Sequence, residues 1–242
     1  TITVNSITLA DGSGLAANYS ISAGQTTTAN ITVKSLTVSN VSASNKTYDG
    51  TTTALMDGTS AVYSGLVDGD IFDGTYTGAF SDKNVGTGKT VNITSSYSGA
   101  DVSNYSVTDQ SSTTANITAK SLTVSGITAS DKTYDGSTSA TLTGTAVYSG
   151  LVSGDTFTGS YTGAFSDKNV GTGKTVNITP SYSGADVNNY SVTDQSSTTA
   201  DISAKALTAT ASASNKTYDG GTTASTTLTF TGLVGSETLG QT

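Results

Sequence analysis

The sequence predicts an all-β protein made of small domains repeated in tandem, and three observations lead there. Runs rich in Thr, Val, Ile and Tyr alternate with clusters of Gly, Asn, Asp and Ser about every 8–12 residues, which is the rhythm of short strands joined by turns. No window carries apolar residues at helical spacing. The chain also repeats itself: Lys-Thr-Tyr-Asp-Gly stands at Lys46–Gly50, Lys132–Gly136 and Lys216–Gly220, at spacings of 86 and 84 residues. A period near 85 exceeds the roughly 20–50 residues of solenoid coils, so each copy is long enough to bury a small core of its own.

The repeat register divides the 242 residues into four parts. Residues 1–30 read as the C-terminal part of a preceding copy, because Asn18-Tyr19-Ser20-Ile21 matches Asn104-Tyr105-Ser106-Val107. Residues 31–116 and 117–201 are full copies, and 202–242 open a further one in which Gly232-Leu233-Val234 matches Gly150-Leu151-Val152. The chain is therefore expected to be an internal piece of a longer protein. In the first full copy the pattern predicts strands over 31–41, 46–54, 60–64, 72–80, 89–97, 105–108 and 113–119. Seven short strands suit a small β-sandwich of the immunoglobulin-like kind.

The junctions carry a phase change. In Ile31-Thr-Val33-Lys-Ser-Leu36-Thr-Val38 the apolar residues sit at odd positions and then at even ones, and the slip recurs at Ile117/Ala119 against Leu122/Val124 and at Ile202/Ala204 against Leu207. A strand with period two cannot keep both sets on one face without a bulge or a change of sheet. The last strand of one copy is thus expected to run directly into the first strand of the next, with Lys34, Lys120 and Lys205 at the hand-over. No Gly/Ser linker intervenes, so the expected assembly is an extended, semi-rigid rod advancing roughly 30–40 Å per copy.

Composition removes whole classes of chemistry. His, Cys and Trp are absent, all ten basic residues are Lys, and one Glu stands among 18 acidic residues. That excludes a Ser-His-Asp triad, a Cys nucleophile, imidazole acid/base catalysis and zinc or iron-sulfur sites of the usual ligand types. A net charge of −8 with no basic stripe argues against nucleic acid, and the short apolar runs are far below the roughly 20 residues of a membrane-spanning helix. Paired carboxylates run glycoside hydrolysis, but such machinery duplicated in near-identical tandem copies is unusual, and the chain reads as non-enzymatic. Charged residues are 12% against a usual 25% or so, while about a fifth of the chain is Thr. A cysteine-free surface of Thr, Ser, Asn and Gly fits an exported protein.

Three motifs invite a functional reading. In Lys46-Thr-Tyr48-Asp49-Gly50 and its copies (Lys132, Tyr134, Asp135 and Gly136; Lys216, Tyr218, Asp219 and Gly220), Asp-Gly is a tight-turn dipeptide and the Tyr is expected to bury its ring while its hydroxyl finds a backbone partner. These residues are read as fold-defining rather than ligand-binding. Gly86-Thr-Gly88-Lys89 and Gly171-Thr-Gly173-Lys174 resemble the end of a phosphate loop, but Lys83 and Lys168 stand where its first Gly belongs, and a Gly-rich turn is expected. Asp68, Asp70 and Asp73 cluster as ligands of a hard cation such as calcium would, with Asp155 the sole counterpart in the second copy. No cofactor is assigned, since a single carboxylate per copy, Asp70, Asp155 and then Glu237, suits a turn cap or a Lys partner better. Lys beside Asn and Asp also raises intramolecular isopeptide crosslinks, which require a buried amine next to a protonated carboxylic acid.

Taken in order, Lys-Thr-Tyr-Asp-Gly, Gly-Leu-Val-x-Gly-Asp, Phe-x-Asp-Lys-Asn-Val-Gly-Thr-Gly-Lys, Asn-Tyr-Ser and Ile-Thr-x-Lys-x-Leu-Thr-Val resemble the YDG repeat domain and its MBG-type relatives. The resemblance implies a stalk module of large bacterial surface adhesins, including filamentous-haemagglutinin-like exoproteins of two-partner secretion. It implies structural spacer repeats of a secreted or cell-surface protein, projecting a distal binding region in adhesion or biofilm formation, with neighbouring repeats as the partners. The alternative is that the repeats themselves bind extracellular polysaccharide or a host surface through tyrosines such as Tyr63, Tyr76, Tyr97, Tyr148, Tyr161 and Tyr182. A further alternative is self-association of like chains into a filament through edge strands.

Overall fold

The computed structural model describes residues 2–4, 8–22 and 24–240, so parts of the flanking segments 1–30 and 202–242 lie outside it. The chain is all-β, with 51% strand, 4% helix and barrel-like sheets. Among the described residues the helical ones form three single turns, Ala16–Asn18, Val102–Asn104 and Val187–Asn189.

Two compact units are present. The first comprises 1–44, 53–79 and 90–114; the second comprises 45–52, 80–89 and 115–242. In the first unit strand Lys34–Ser39 lies between Val62–Ser64, which runs antiparallel to it, and Tyr105–Thr108, which runs parallel. Alternation buries Leu36 and Val38 and exposes Ser35, Thr37 and Ser39. Leu36, Val38, Val41, Phe72 and Tyr105 form the core, with Met56, Tyr63, Tyr76, Ile93 and Tyr97 packed around it. The ring of Phe72 meets Tyr63, Tyr97 and Tyr105 at centroid distances of 5.4, 5.0 and 5.8 Å. Ahead of this core, Ile31 and Val33 are exposed and precede the strand, which begins at Lys34 and not at residue 31.

In the second unit two sheets are complete. A three-stranded sheet has Lys120–Ala129 between Leu142–Ser149 and Tyr190–Thr193. A five-stranded sheet runs in the order Lys132–Thr133, Ser197–Ser203, Gly171–Ser183, Thr158–Phe165, Ser139–Ala140. Both mix pairing directions: Lys120–Ala129 is parallel to Tyr190–Thr193, Lys132–Thr133 is parallel to Ser197–Ser203, and the remaining registers are antiparallel. Leu122, Val124, Ile127 and Phe157 are buried beside one sheet, and Phe165, Val176, Ala200 and Ile202 form a core with Ala129, Tyr134, Ala140 and Leu142.

The phase change is visible at residue 119. Strand Ser112–Thr118 buries Ala115 and Ile117, strand Lys120–Ala129 buries Leu122 and Val124, and Ala119 alone separates them. The two halves serve different sheets: Ile117 pairs with Lys46, whereas Lys120 pairs with Tyr190. Further along, Ser197–Ser203 and Thr208–Ala213 are four residues apart, and Thr208–Ala213 forms an exposed antiparallel pair with Thr226–Thr231.

The predicted strand 46–54 is interrupted. Lys46–Thr47 and Thr53–Ala54 are two short strands, and the Tyr-Asp-Gly string turns the chain between them. Gly50 requires this glycine, with φ +80°, as do Gly136 and Gly220 at +76°. The strand predicted over 89–97 is longer than expected, Gly86–Ser98, because the Gly-Thr-Gly segment lies inside it. In the equivalent strand Gly171–Ser183 the pairing register shifts between Gly171 and Lys174, a bulge in which Gly173 adopts φ +58°.

A candidate clasp between successive copies

Within the second unit, the Tyr-Asp-Gly turn of the first copy reaches residues about a hundred positions ahead. Asp49 builds the turn locally: its Oδ1 accepts hydrogen bonds from the Thr51 N–H at 2.8 Å and from the Thr51 hydroxyl at 2.8 Å, and it pairs with Lys46 Nζ at 2.7 Å. Lys46 also donates to the Thr51 carbonyl, so Lys, Asp and Gly fix one loop shape. Lys132 and Asp135 repeat the arrangement, as do Lys216 and Asp219. That loop shape presents Tyr48, which is 1% exposed. Its hydroxyl does not donate to a backbone carbonyl, as the sequence led us to expect. It donates to Asp155 Oδ2 of the next copy at 2.8 Å.

Asp155 is the centre of a small polar cluster. Tyr190, of its own copy, donates to the same carboxylate oxygen at 2.6 Å, and the rings of Tyr48 and Tyr190 meet edge to face at 5.6 Å. Lys83 Nζ from the first copy lies 3.0 Å from Asp155 Oδ1, 2.8 Å from Asp186 Oδ1 and 5.8 Å from the Tyr48 ring centroid. The carboxylates are deeply placed, with side chains 3% and 9% exposed, while Lys83 keeps 37% of its surface. Beside them Asn189 Oδ1 accepts the Val85 N–H at 2.9 Å and Asn189 Nδ2 donates to Asn84 at 3.1 Å. Val152 packs on the turn so closely that a Cβ added to Gly50 would lie 2.9 Å from its Cγ1.

The electrostatics are those of a satisfied ion cluster. Burial pushes the Asp155 carboxyl up, but hydrogen bonds from Tyr190, Tyr48 and Lys83 outweigh it and hold the group below its ordinary value. Asp186 is lowered by Lys83 and by the Thr156 N–H, and Lys83 is raised by Asp186 and Asp155. Burial and the Asp155 bond raise Tyr48 and push Tyr190 up to about 12. At neutral pH the cluster therefore holds one ammonium, two carboxylates and two neutral phenols. A protonated Lys83 and ionised carboxylates are the opposite of what an isopeptide-forming pair needs.

The second junction repeats the first in reduced form. The Tyr134 hydroxyl donates to Glu237, Lys168 Nζ lies 3.4 Å from the same carboxylate, and a Cβ on Gly136 would lie 2.9 Å from Val234. Tyr218, in the last partial copy, is 93% exposed.

The remaining candidates fall elsewhere. Asp70 accepts the Tyr105 hydroxyl within its own copy, whereas Asp68 and Asp73 are exposed. Among the described residues no three acidic side chains are placed together as metal ligands, so Asp68, Asp70, Asp73 and Asp155 do not form one set. Lys89 of the Gly-Thr-Gly-Lys segment pairs with Asp82, and the Gly88 N–H is bound by Asn116 Oδ1, so the loop's polar groups face their own strand neighbours. Tyr63, Tyr76, Tyr97, Tyr148, Tyr161 and Tyr182 are half-buried around Phe72 and Phe157, with their hydroxyls bonded to one another, to the Gly159 N–H, or to Asp109 and Asp194.

Residues 32–115 and 118–200 each match the sequence model of the YDG domain. The chain belongs to the YDG domain family. No curated protein and no solved structure matches it. The Tyr and Asp of each Tyr-Asp-Gly string thus have separate duties in these two tandem YDG domains: Asp49 shapes the turn within a copy, and Tyr48 reaches the next. Sequence reasoning singled out Tyr48 and Asp155 but did not join them; it expected a turn cap or a Lys partner for Asp155, noted Lys83 only as a departure from the phosphate-loop pattern, and passed over Asn84, Asp186 and Asn189. Their signal was repetition: Asp-Lys-Asn recurs unchanged at 82–84 and 167–169, and Gly-Ala-Asp-Val at 99–102 and 184–187.

Proposed function

We propose that these YDG domains are structural spacer repeats in the stalk of a secreted or surface-anchored bacterial adhesin, projecting a distal binding region in cell adhesion or biofilm formation. In this reading small immunoglobulin-like β-sandwiches follow one another without linkers as an extended rod, their partners are their own neighbours, and they catalyse nothing. The observation that carries it is the clasp, in which the motif residue Tyr48, with Lys83, is spent on Asp155 of the next copy rather than on a ligand. The single residue between strands Ser112–Thr118 and Lys120–Ala129 supports it further, because a one-residue connection restricts bending. Carbohydrate binding by the repeats has less support, since the six strand tyrosines that would form its surface are half-buried against Phe72 and Phe157.

Small-angle scattering of the 242-residue chain at several concentrations tests the proposal. An elongated profile independent of concentration is expected. A compact or freely flexible profile contradicts the spacer, and growth with concentration favours the filament.

A further inference from the structure

The two ends of the second copy run side by side. Its entry strand Lys120–Ala129 pairs in parallel with Tyr190–Thr193, from Lys120 opposite Tyr190 to Thr123 opposite Thr193. Further on, Lys132 and Thr133 pair in parallel with Ile202 and Ser203, the end of the exit strand Ser197–Ser203. Both ladders keep the same offset, and Asp131, whose Oδ1 accepts the Asp201 N–H at 2.7 Å, keeps it too. Gln195 ties the stretch between the ladders: its Oε1 accepts the Ile127 N–H at 3.0 Å and its Nε2 donates to the Ile127 carbonyl at 2.6 Å. The Tyr134 N–H closes the far end on the Ser203 carbonyl at 2.8 Å. One parallel seam thus joins residues 120–134 to 190–203. The first copy has its counterparts pair for pair: Lys34–Thr37 with Tyr105–Thr108, Val41 with Gln110, Asn45 with Asn116, and Lys46–Thr47 with Ile117–Thr118.

We infer that this seam is a force-bearing clamp, which takes tension along the chain in shear and whose rupture sets the rate at which a pulled copy unfolds. Parallel strands start at the same end, so Lys120 lies level with Tyr190, while Ser203 lies level with Thr133 at the other end of the seam. Tension that enters at Lys120 and leaves at Ser203 slides the two sides past one another, and the seam's hydrogen bonds share the load. An antiparallel pair pulled apart at its open end, such as Thr158 and Ser183, opens instead one bond at a time. Residues 135–189 are bypassed by the load until the seam gives way. Gln195 is the central tie, because it holds both backbone groups of Ile127 where no ladder does. The inference concerns a single copy and goes beyond the spacer reading without resting on the contact between Tyr48 and Asp155.

Single-molecule stretching of the whole chain at constant force tests it. The chain has no cysteine, so Ala119→Cys with Ala204→Cys supplies two attachment points that load the second copy alone at its own entry and exit. A single abrupt extension is expected, gaining roughly 250–300 Å of contour at about 3.5 Å per released residue. Adding Gln195→Ala removes both bonds to Ile127 and is expected to shorten the lifetime at fixed load roughly tenfold, because forced unfolding follows the unfolding rate. Gly154→Ala is the contrast: it strains a residue at φ +90° in the bypassed loop between Leu142–Ser149 and Thr158–Phe165. It is expected to lower the melting temperature yet leave the lifetime under load within about twofold, since its loop is still folded when the seam breaks. Should Gln195→Ala fail to fold, Asp131→Ala at an exposed position replaces it, with a shortened lifetime again expected. Gradual extension without a step, an unchanged lifetime in the seam variant, or equal shortening by Gly154→Ala overturns the inference.

Discussion

Tyr48 buries its ring and would strand its hydroxyl, and Asp155 buries a charge that would otherwise be forced to neutralise; each answers the other's need. Removing the hydroxyl leaves Asp155 with Tyr190 and Lys83, so Tyr48→Phe should cost about 1–2 kcal/mol, seen as a drop of several degrees in melting temperature. Tyr218→Phe, at a fully exposed copy of the same position, should leave the melt unchanged. The pH profile has two edges. Asp155, Asp186 and Asp135, the last held at about 2 by Lys132 and Ser137, are all lowered on folding, so their stabilisation is present above the unfolded carboxylate value of about 4 and is lost as pH falls through the folded values. Tyr48, Tyr190 and Lys83 are raised, so their contribution is complete below about pH 10 and is lost as pH rises toward the folded values. Thermal melts by circular dichroism across pH should therefore show a plateau between these limits, and Tyr48→Phe should soften the alkaline edge.

At the level of elements, the Lys-x-Tyr-Asp-Gly turn is a positioning device. Gly50 must adopt a left-handed conformation and must also admit Val152, so Gly50→Ala meets both a strained φ and a 2.9 Å clash. Gly69, at φ +89° with open space around it, meets only the first. Chemical denaturation should accordingly find Gly50→Ala clearly more destabilising than Gly69→Ala, which is expected to cost about 1 kcal/mol. Much of this level was legible in the sequence. Period-two alternation placed Leu36 and Val38, and the phase slip put the hand-over at Lys120, one residue past the observed break at Ala119, because both are local consequences of pleat geometry. The interruption at 48–52 was hidden by Thr, whose strand preference on either side of the turn masks it, and the parallel pairings of Lys120–Ala129 and Lys132–Thr133 have no local signature at all. The clasp was illegible for a related reason: Tyr48 and Asp155 are 107 residues apart, and only the recurrence of a Tyr and of an acidic residue at matching places, Asp70, Asp155 and Glu237, hinted at a shared task.

For the whole molecule, low charge takes on a specific meaning. Eight ion pairs are formed among the described residues, five of them within a single turn or strand neighbourhood, while Lys83 with Asp155, Lys83 with Asp186 and Lys168 with Glu237 join one copy to the next. Charges are thus concentrated where turns must be fixed or copies must be joined, and Thr and Ser cover the remaining strand surface. The central claim is that successive copies are energetically coupled through Tyr48 and Lys83, and scanning calorimetry tests it most directly. The native chain is predicted to unfold the two full copies in one cooperative endotherm, and the double variant Tyr48→Phe with Lys83→Met is predicted to split it into two. Two independent endotherms in the native chain, or an unchanged single endotherm in the variant, would contradict the account.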